Sequence, residues 1–253
     1  MKAVHRSHVG RELRVAWAIA AKDMRTYYTQ PPSIMFGILF PFTLFLAFTI
    51  GRNLPLAEQI PILISQTLFF ASSSIGPVVI PLERADQTFD RFLTSPVSLL
   101  SILMGKTLGG IIYGTLISII PVLVGIIVFG SQITNLAALI ACFALSSLAF
   151  SALGILFASI PGQTVGQVMM PLNFVRIPLL FISGVFTPIG QLPVWMQAVS
   201  FLSPLTHTVG LASYASGGET FFGPVLNVIV LGAYAAVFVF VSIHFNIMNQ
   251  RKQ

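Results

Sequence analysis

Long apolar runs dominate this chain, and none of them alternates between apolar and polar positions. A helix needs roughly 20 apolar residues to cross the hydrocarbon layer of a bilayer. Lipid cannot satisfy an open backbone, so each run of that length is predicted to be a helix. The pattern predicts an all-α integral membrane protein with a single domain, 33–253, of six transmembrane helices. These spans cover residues 33–50, 60–82, 108–129, 136–160, 165–186 and 224–247.

Composition supports the same class. Of the 253 residues, 55% are hydrophobic and only 8% are charged, whereas a soluble domain carries about 25% charged residues. The net charge of +6 does not indicate nucleic-acid binding here, because the cations gather in the segments between apolar runs. The single cysteine cannot form an internal disulfide, and no signal-peptide cleavage site follows a short apolar core.

The distribution of Lys and Arg predicts the orientation. Of the thirteen Lys and Arg residues, all but Arg52 and Arg176 precede the first span, follow the sixth, or lie between the second and third. Short loops rich in these residues stay on the cytoplasmic side. Both termini are therefore predicted to be cytoplasmic, and the protein is predicted to be a multi-pass protein of the cell (cytoplasmic) membrane.

The lead segment, 1–32, has the pattern of an amphipathic helix. Apolar residues recur at helical spacing, and cations gather on the opposite side: Leu13, Trp17, Ala20, Met24 and Tyr27 against Arg11, Arg14, Lys22 and Arg25. Such a helix lies in the headgroup layer of the bilayer. Pro31-Pro32 is predicted to end it and to turn the chain into the membrane. The segment either only sets topology or connects cytoplasmic motion to the first span.

A charged island, residues 83–96, interrupts the apolar sequence within a predicted cytoplasmic loop, 83–106. Phe89, Phe92 and Leu93 fall at i, i+3 and i+4, which places them on one face of a short helix. Charged residues flank that face, and Ser95-Pro96 stops the helix. The island either docks a soluble partner or tucks beneath the bundle. Its candidate contact residues are Glu83, Arg84, Asp86, Phe89, Asp90, Arg91, Phe92, Leu93 and Pro96.

Between the fifth and sixth runs, residues 187–223 are predicted to lie outside the membrane, on the side opposite the termini. Apolar residues at helical spacing there form a helix too short to span, so it re-enters the bilayer or anchors at its interface. The candidate residues of this segment are Pro188, Pro193, Trp195 and Pro204. In the third run, Gly110, Gly114 and Ser118 form a face of small residues that favours close helix contact.

Arg176 is the one charged residue predicted deep inside a span. A charge there is costly and is treated as functional by default, so Arg176 and nearby Asn173 are candidates for the transport pathway or for a structural role. Gly105-Lys106-Thr107 resembles the end of a phosphate-binding loop. That loop requires a glycine where Leu100 stands, which excludes nucleotide binding. Lys106 is instead predicted to mark the edge of the third span. No spacing typical of a metal site or of a catalytic pair occurs.

Several motifs in order resemble the membrane subunit, or permease, of ABC type-2 transporters, most of which are exporters. The island matches at Glu83-Arg84, at Phe92-Leu93-Thr94-Ser95-Pro96-Val97-Ser98 and at Gly105-Lys106. A second block matches at Phe181-Ile182-Ser183-Gly184-Val185-Phe186-Thr187-Pro188, at Leu192-Pro193-Val194-Trp195 and at Ser203-Pro204-Leu205-Thr206-His207. The likeness covers nearly the whole chain. Gln87 stands where the family often has glycine.

The resemblance implies a division of labour. A separate ABC ATPase would bind ATP and Mg²⁺, and this chain would bind no cofactor. The island would be the coupling helix on which that ATPase docks. Two copies of the permease, or this chain and a homologous permease, would line the substrate path in the lipid bilayer. Residues 161–164 would form a second, smaller contact, and nucleic acid would not be a partner.

The substrate remains open at this point. Short loops favour a hydrophobic drug or a lipid-like amphiphile, but the same family also moves polysaccharides and glycolipids. A secondary transporter is the less favoured alternative, because such proteins normally place Asp or Glu within their spans and none is assigned to a span here.

Overall fold

A computed structural model describes residues 2–49, 56–88, 97–160, 162 and 164–250, and the described residues form helices without any strand. The chain begins with a lead helix, Lys2–Tyr27. The first span follows as one continuous rod of three pieces, Pro31–Ile34, a π-helical turn Met35–Leu39, and Phe40–Thr49. Pro31 and Pro32 occupy the first turn of this rod, where a missing backbone N–H costs nothing.

The prediction of six spans is confirmed. The remaining five are Leu56–Ala85, Leu99–Phe129, Leu136–Ala158, Val165–Ile182 and Pro224–Gln250, and each of the six has a stretch long and apolar enough to cross a membrane. The helix of the third span begins at Leu99, nine residues earlier than the sequence predicted. Ser98 caps its first turn by accepting a hydrogen bond from the backbone N–H of Ser101.

The second span is the centre of the bundle. It packs against the first, third, fourth and fifth spans, and its residues are almost all buried. Phe69 and Phe70 of this helix form the main apolar core with Phe150 of the fourth span. The ring centroid of Phe69 lies 5.3 Å from that of Phe70 and 4.8 Å from that of Phe150. The outer faces of the other spans expose apolar side chains, as lipid contact requires.

The small-residue face predicted on the third span is confirmed. A Cβ added at Gly110 would lie 2.2 Å from Ser151 Oγ, and one added at Gly114 would lie 1.8 Å from Ser72 Oγ. Both distances are far below van der Waals contact, so only glycine lets the third helix approach the second and fourth this closely. The third span is thereby packed closely against the central helix along this face.

The predicted apolar face of the lead helix is divided between two surroundings. Leu13 and Trp17 are exposed, by 53% and 58%. Ala20 of the same face is buried and, with Ala16 and Ile19, packs on the third span. Small residues on this stripe allow close helix packing, whereas Leu13 and Trp17 remain available to the bilayer interface.

Candidate functional site

The structure describes the charged island up to Thr88 and again from Val97. Six of the predicted contact residues therefore lie outside the described residues: Phe89, Asp90, Arg91, Phe92, Leu93 and Pro96. Glu83 and Arg84 lie in the last turn of the second span rather than in a loop. Asp86 follows that helix and is exposed. Residues 99–106 of the predicted loop likewise belong to the helix of the third span.

Glu83 belongs to a buried ion-pair cluster formed by Lys22, Asp23, Glu83 and Lys106. The Lys106 ammonium lies 2.8 Å from Asp23 Oδ2, 3.0 Å from Asp23 Oδ1 and 2.6 Å from Glu83 Oε1. The side chains of Asp23, Glu83 and Lys106 are completely buried. Lys22 pairs with both acids from the surface, with its side chain 36% exposed. The cluster therefore joins the lead helix, the second span and the third span.

Charge in the cluster is balanced, because two ammonium groups face two carboxylates. Burial lowers the pKa of Lys22, but the hydrogen bond to Glu83 and the nearby charge of Asp23 outweigh burial, so the pKa of Lys22 is raised. Within the described part of the chain, Glu83 Oε2 is buried and accepts no hydrogen bond. The cluster is thus closed around Lys106, with one carboxylate oxygen unsatisfied.

This burial corrects three predictions. Lys106 does not mark the edge of its span but lies seven residues after Leu99, where the helix begins. Glu83 is an acid within a span, and so is Glu58, although the sequence assigned none there. Glu83 also faces inward, so its side chain offers no surface to a docking partner. Lys106 and Glu83 differ from the prediction because each pairs with an opposite charge on another helix.

Three further contacts fasten the lead helix and the start of the first span to the third span. A Cβ added at Gly105 would lie 2.8 Å from Ala16 O and from Ile19 Cβ, so glycine is required beside the cluster. Tyr28 donates a hydrogen bond to the Gly109 carbonyl, and Tyr113 donates one to the Ser33 carbonyl at 2.9 Å. The connection therefore continues to the start of the first span.

Arg84 ties the start of the island to the loop between the fourth and fifth spans. Its guanidinium donates hydrogen bonds to the carbonyls of Ala158, Ile160 and Gly162, at 3.3, 3.1 and 3.3 Å. A cation at these positions satisfies the last carbonyls of the fourth span and favours its helix dipole. Gln87 follows with φ of 55°, a left-handed conformation that glycine adopts freely.

Arg176 is completely buried in the fifth span and contacts the second. Nη2 donates to Ser73 Oγ at 2.6 Å and to Ser74 Oγ at 3.1 Å, and Nη1 donates to Asn173 Oδ1 at 3.4 Å. The Phe70 ring lies 5.3 Å from the guanidinium carbon. Nε is buried and has no hydrogen-bond partner among the described residues. The two candidate residues of this span, Arg176 and Asn173, therefore contact each other, and hydroxyl groups of the second span take the place of an acid.

Residues 187–223 form two short helices after a 3₁₀ turn at Ile189–Gln191. Pro188 precedes that turn, and Pro193 precedes a surface helix, Val194–Phe201, on which Trp195 is 67% exposed. Pro204 begins an inner helix, Pro204–Ala215, that packs among the second, fourth and sixth spans. Within the inner helix, His207 is buried and contacts Asn227 Oδ1 through Nδ1 at 2.7 Å.

The ion-pair cluster was missed from the sequence, although a signal for it was present. Asp23 falls on the buried stripe of the lead helix, four residues after Ile19, three after Ala20 and four before Tyr27. An acid on such a stripe requires an opposite charge. Its partner Lys106 lies 83 residues further along the chain, which helical periodicity cannot reveal.

Comparison with known proteins agrees with this arrangement. The family model described as ABC-2 type transporter matches residues 14–216. The "Probable multidrug ABC transporter permease YbhR" of Escherichia coli K12 is 25% identical over 152 residues, and its counterpart in E. coli O157:H7 matches equally. That alignment covers 58% of this chain and 40% of the relative's length. "Nodulation protein J" of Rhizobium leguminosarum bv. viciae is 30% identical over 94 residues, covering 37% of this chain and 36% of that protein.

The family match extends from within the lead helix to the end of the inner helix and includes five of the six spans. It therefore covers the ion-pair cluster, the island and Arg176. The resemblance found from the motifs is confirmed, and so is the all-helical membrane class. The chain is a multi-pass membrane protein that belongs to the ABC-2 type transporter family, whose members are permease subunits of ABC transporters rather than enzymes.

Proposed function

We propose that this chain is the permease subunit of an ATP-driven exporter of the cell membrane and that a separate ATPase docks on residues 83–96. The buried ion-pair cluster carries this proposal, because it links the start of the island to the lead helix and to the third span. ATP and Mg²⁺ would bind the ATPase and not this chain. The island and both termini would face the cytoplasm, following the distribution of Lys and Arg.

The cluster supplies a path for motion. When the two ATPases of the assembly close, they would press on the island at the end of the second span. Glu83 lies at that end and holds Lys106 of the third span and Lys22 of the lead helix. Charges fixed by buried partners move as a unit, so the three helices would shift as one rigid body. Arg84 would carry the same displacement to the loop around Gly162, the proposed second contact.

Two copies of the chain, or this chain and a homologous permease, would form the pathway. A hydrophobic drug or a lipid-like amphiphile is the proposed substrate. The E. coli relative, a probable multidrug permease, supports this choice, and so do the short connections between spans. A polysaccharide or glycolipid is the second candidate within the same family. Efflux of a fluorescent amphiphile from cells and loss of a surface glycan in a deletion strain distinguish the two.

The docking proposal is tested by a triple variant of the island, Phe89→Ala with Asp90→Lys and Arg91→Glu. We expect co-purification of the ATPase and vanadate-sensitive ATP hydrolysis by the complex to fall about tenfold or more, because buried interface anchors each contribute about 2 kcal/mol or more. The matched control is Phe221→Ala with Glu219→Lys, a pair of exposed residues on another loop. Retention of both activities by the island variant would refute the docking assignment.

Arg176 and Asn173 are the proposed pathway residues, and Arg176→Met tests this role. The variant should fold with a stability within about 1 kcal/mol of the native protein, because removing a buried charge without a carboxylate partner costs little. Ser73 and Ser74 keep their hydrogen bonds to the carbonyls of Phe69 and Phe70. Substrate transport should fall about tenfold or more if the guanidinium contacts substrate.

The measurements are the melting temperature of the purified protein and substrate efflux at equal expression. Ser74→Ala serves as the control, because it removes one hydroxyl partner and leaves the guanidinium in place. Unchanged efflux in Arg176→Met, together with unchanged stability, would exclude the pathway role. A large loss of stability would instead assign Arg176 to holding the second and fifth spans together.

A further inference from the structure

An apolar groove of about 360 Å³ opens between the lead helix and the third, fourth and sixth spans. Leu13 and Ala16 line it from the lead helix, and Leu103, Leu108 and Leu148 line it from the third and fourth spans. Its volume falls in the range of about 300–1,000 Å³ that is typical of ligand sites. The lining from the third span lies within the first thirteen residues of that helix, so the groove occupies the half of the bundle that adjoins the lead helix.

The polar groups of the groove already have partners. Thr107 donates its hydroxyl hydrogen to the Leu103 carbonyl at 2.8 Å, and Ser242 also makes an interaction. The side-chain hydroxyl groups described in the lining therefore do not require a hydrogen bond from a ligand. A hydrocarbon chain satisfies such a surface, whereas a polar solute would lose its hydration without compensation.

Positive charge lies on the lead helix close to Leu13, which lines the groove. Arg11 and Arg14 are exposed on the lead helix within one turn of Leu13. Glu12 lies between them but accepts a hydrogen bond from Ser98 at 3.3 Å, at the start of the third span. The local balance is positive. Exposed arginines beside an apolar slot complement a molecule with an acyl chain and an anionic headgroup.

We infer that this groove binds one acyl chain of an anionic phospholipid, with the phosphate near Arg11 and Arg14. The lipid would belong to the leaflet in which the lead helix lies, and its chain would fill the space between the third and sixth spans. Bound in this way, it would brace the lead helix against the bundle on the side away from the first span. The site is independent of ATPase docking, so either proposal can fail alone.

Native mass spectrometry of the full-length protein, purified with phosphatidylglycerol or with phosphatidylcholine of the same chains, tests the inference. Leu108→Trp fills the groove and should lower retained phosphatidylglycerol about tenfold, the change expected when roughly two methylene groups lose their burial. Leu148→Trp fills the same space from the fourth span. Leu116→Trp is the matched control, because Leu116 is 49% exposed on the same helix outside the groove.

Arg11→Gln with Arg14→Gln should lower the preference for phosphatidylglycerol over phosphatidylcholine by about fivefold or more. Arg25→Gln, exposed near the other end of the lead helix, should leave that preference unchanged. If both tryptophan variants retain as much lipid as Leu116→Trp, the groove is not the site. If they instead abolish dimers while retaining lipid, a second copy of the chain occupies the groove, and the inference is overturned.

Discussion

Replacing Lys106 with Met is expected to destabilise the protein by about 3–5 kcal/mol, because one partner of a buried ion pair would be removed. Asp23 and Glu83 are fully buried and share the Lys106 ammonium. Without it, two carboxylates would face each other with only Lys22 to compensate, and Lys22 is partly exposed. We expect a large loss of melting temperature and of monodisperse protein in detergent.

Lys22→Met is the matched control, since it removes the same charge from the half-exposed side of the cluster. Its cost should be about 1 kcal/mol or less, as for other solvent-accessible pairs. A triple variant, Asp23→Asn, Glu83→Gln and Lys106→Met, removes the three buried charges of the cluster and should recover much of the lost stability. Equal melting temperatures for Lys106→Met and Lys22→Met would show that the buried pairing contributes no stability.

The same triple variant separates folding from coupling. A neutral cluster can pack, but it no longer holds the three helices by charge. We expect the ATPase to bind this variant and to hydrolyse ATP while transport falls several-fold, a result that impaired folding would not produce. Transport at the native level would show that the cluster only stabilises the fold, and the docking proposal would stand unaffected.

Replacing Gly154 with Val is expected to destabilise the bundle by about 3 kcal/mol through overpacking. A Cβ at this position would lie 2.4 Å from the Ser73 carbonyl oxygen and 2.9 Å from its carbon. Both atoms belong to the backbone of the second span, so no side-chain rotation can relieve the clash. The fourth span would have to move away from the central helix.

Gly232→Val in the sixth span is the control, because nothing lies within 4 Å of a Cβ there. Its effect should stay within about 0.5 kcal/mol, the usual range for surface substitutions. Thermal unfolding of the two purified variants under identical conditions compares them directly. If Gly154→Val and Gly232→Val have the same melting temperature, the close approach of the second and fourth spans is not a feature of the purified protein.

The spans were predictable because nearly every residue of a segment that crosses a bilayer must be apolar. Hydropathy along the sequence detects such a segment without any knowledge of the fold. The small face of Gly110 and Gly114 was predictable for a similar reason, since close packing leaves a repeat in a single helix. An ion pair between two helices produces no repeat in either helix. Asp23 and Lys106 each look like ordinary charged residues near an apolar run, and only the fold brings them within 3 Å.

Arg176 illustrates an intermediate case. Its place deep inside a span was expected from the sequence, whereas its contact with Asn173 was not predicted. Its principal partners, Ser73 and Ser74, lie on another helix and were not expected. The sequence offers many serines and no rule for choosing among them. The island from Phe89 to Pro96 stays a prediction on its pattern alone.

The burial of the second span has a consequence for biogenesis. This helix contains Pro61, Pro77 and Pro81, and most of its polar side chains face protein rather than lipid, among them Ser65, Gln66, Thr67, Ser72, Ser73 and Ser74. A lone helix of this composition partitions weakly into hydrocarbon. We therefore expect its stable insertion during synthesis to wait for the third and fourth spans. In a nascent chain truncated before residue 99, the first span would anchor the chain, but the second span would remain accessible to added protease.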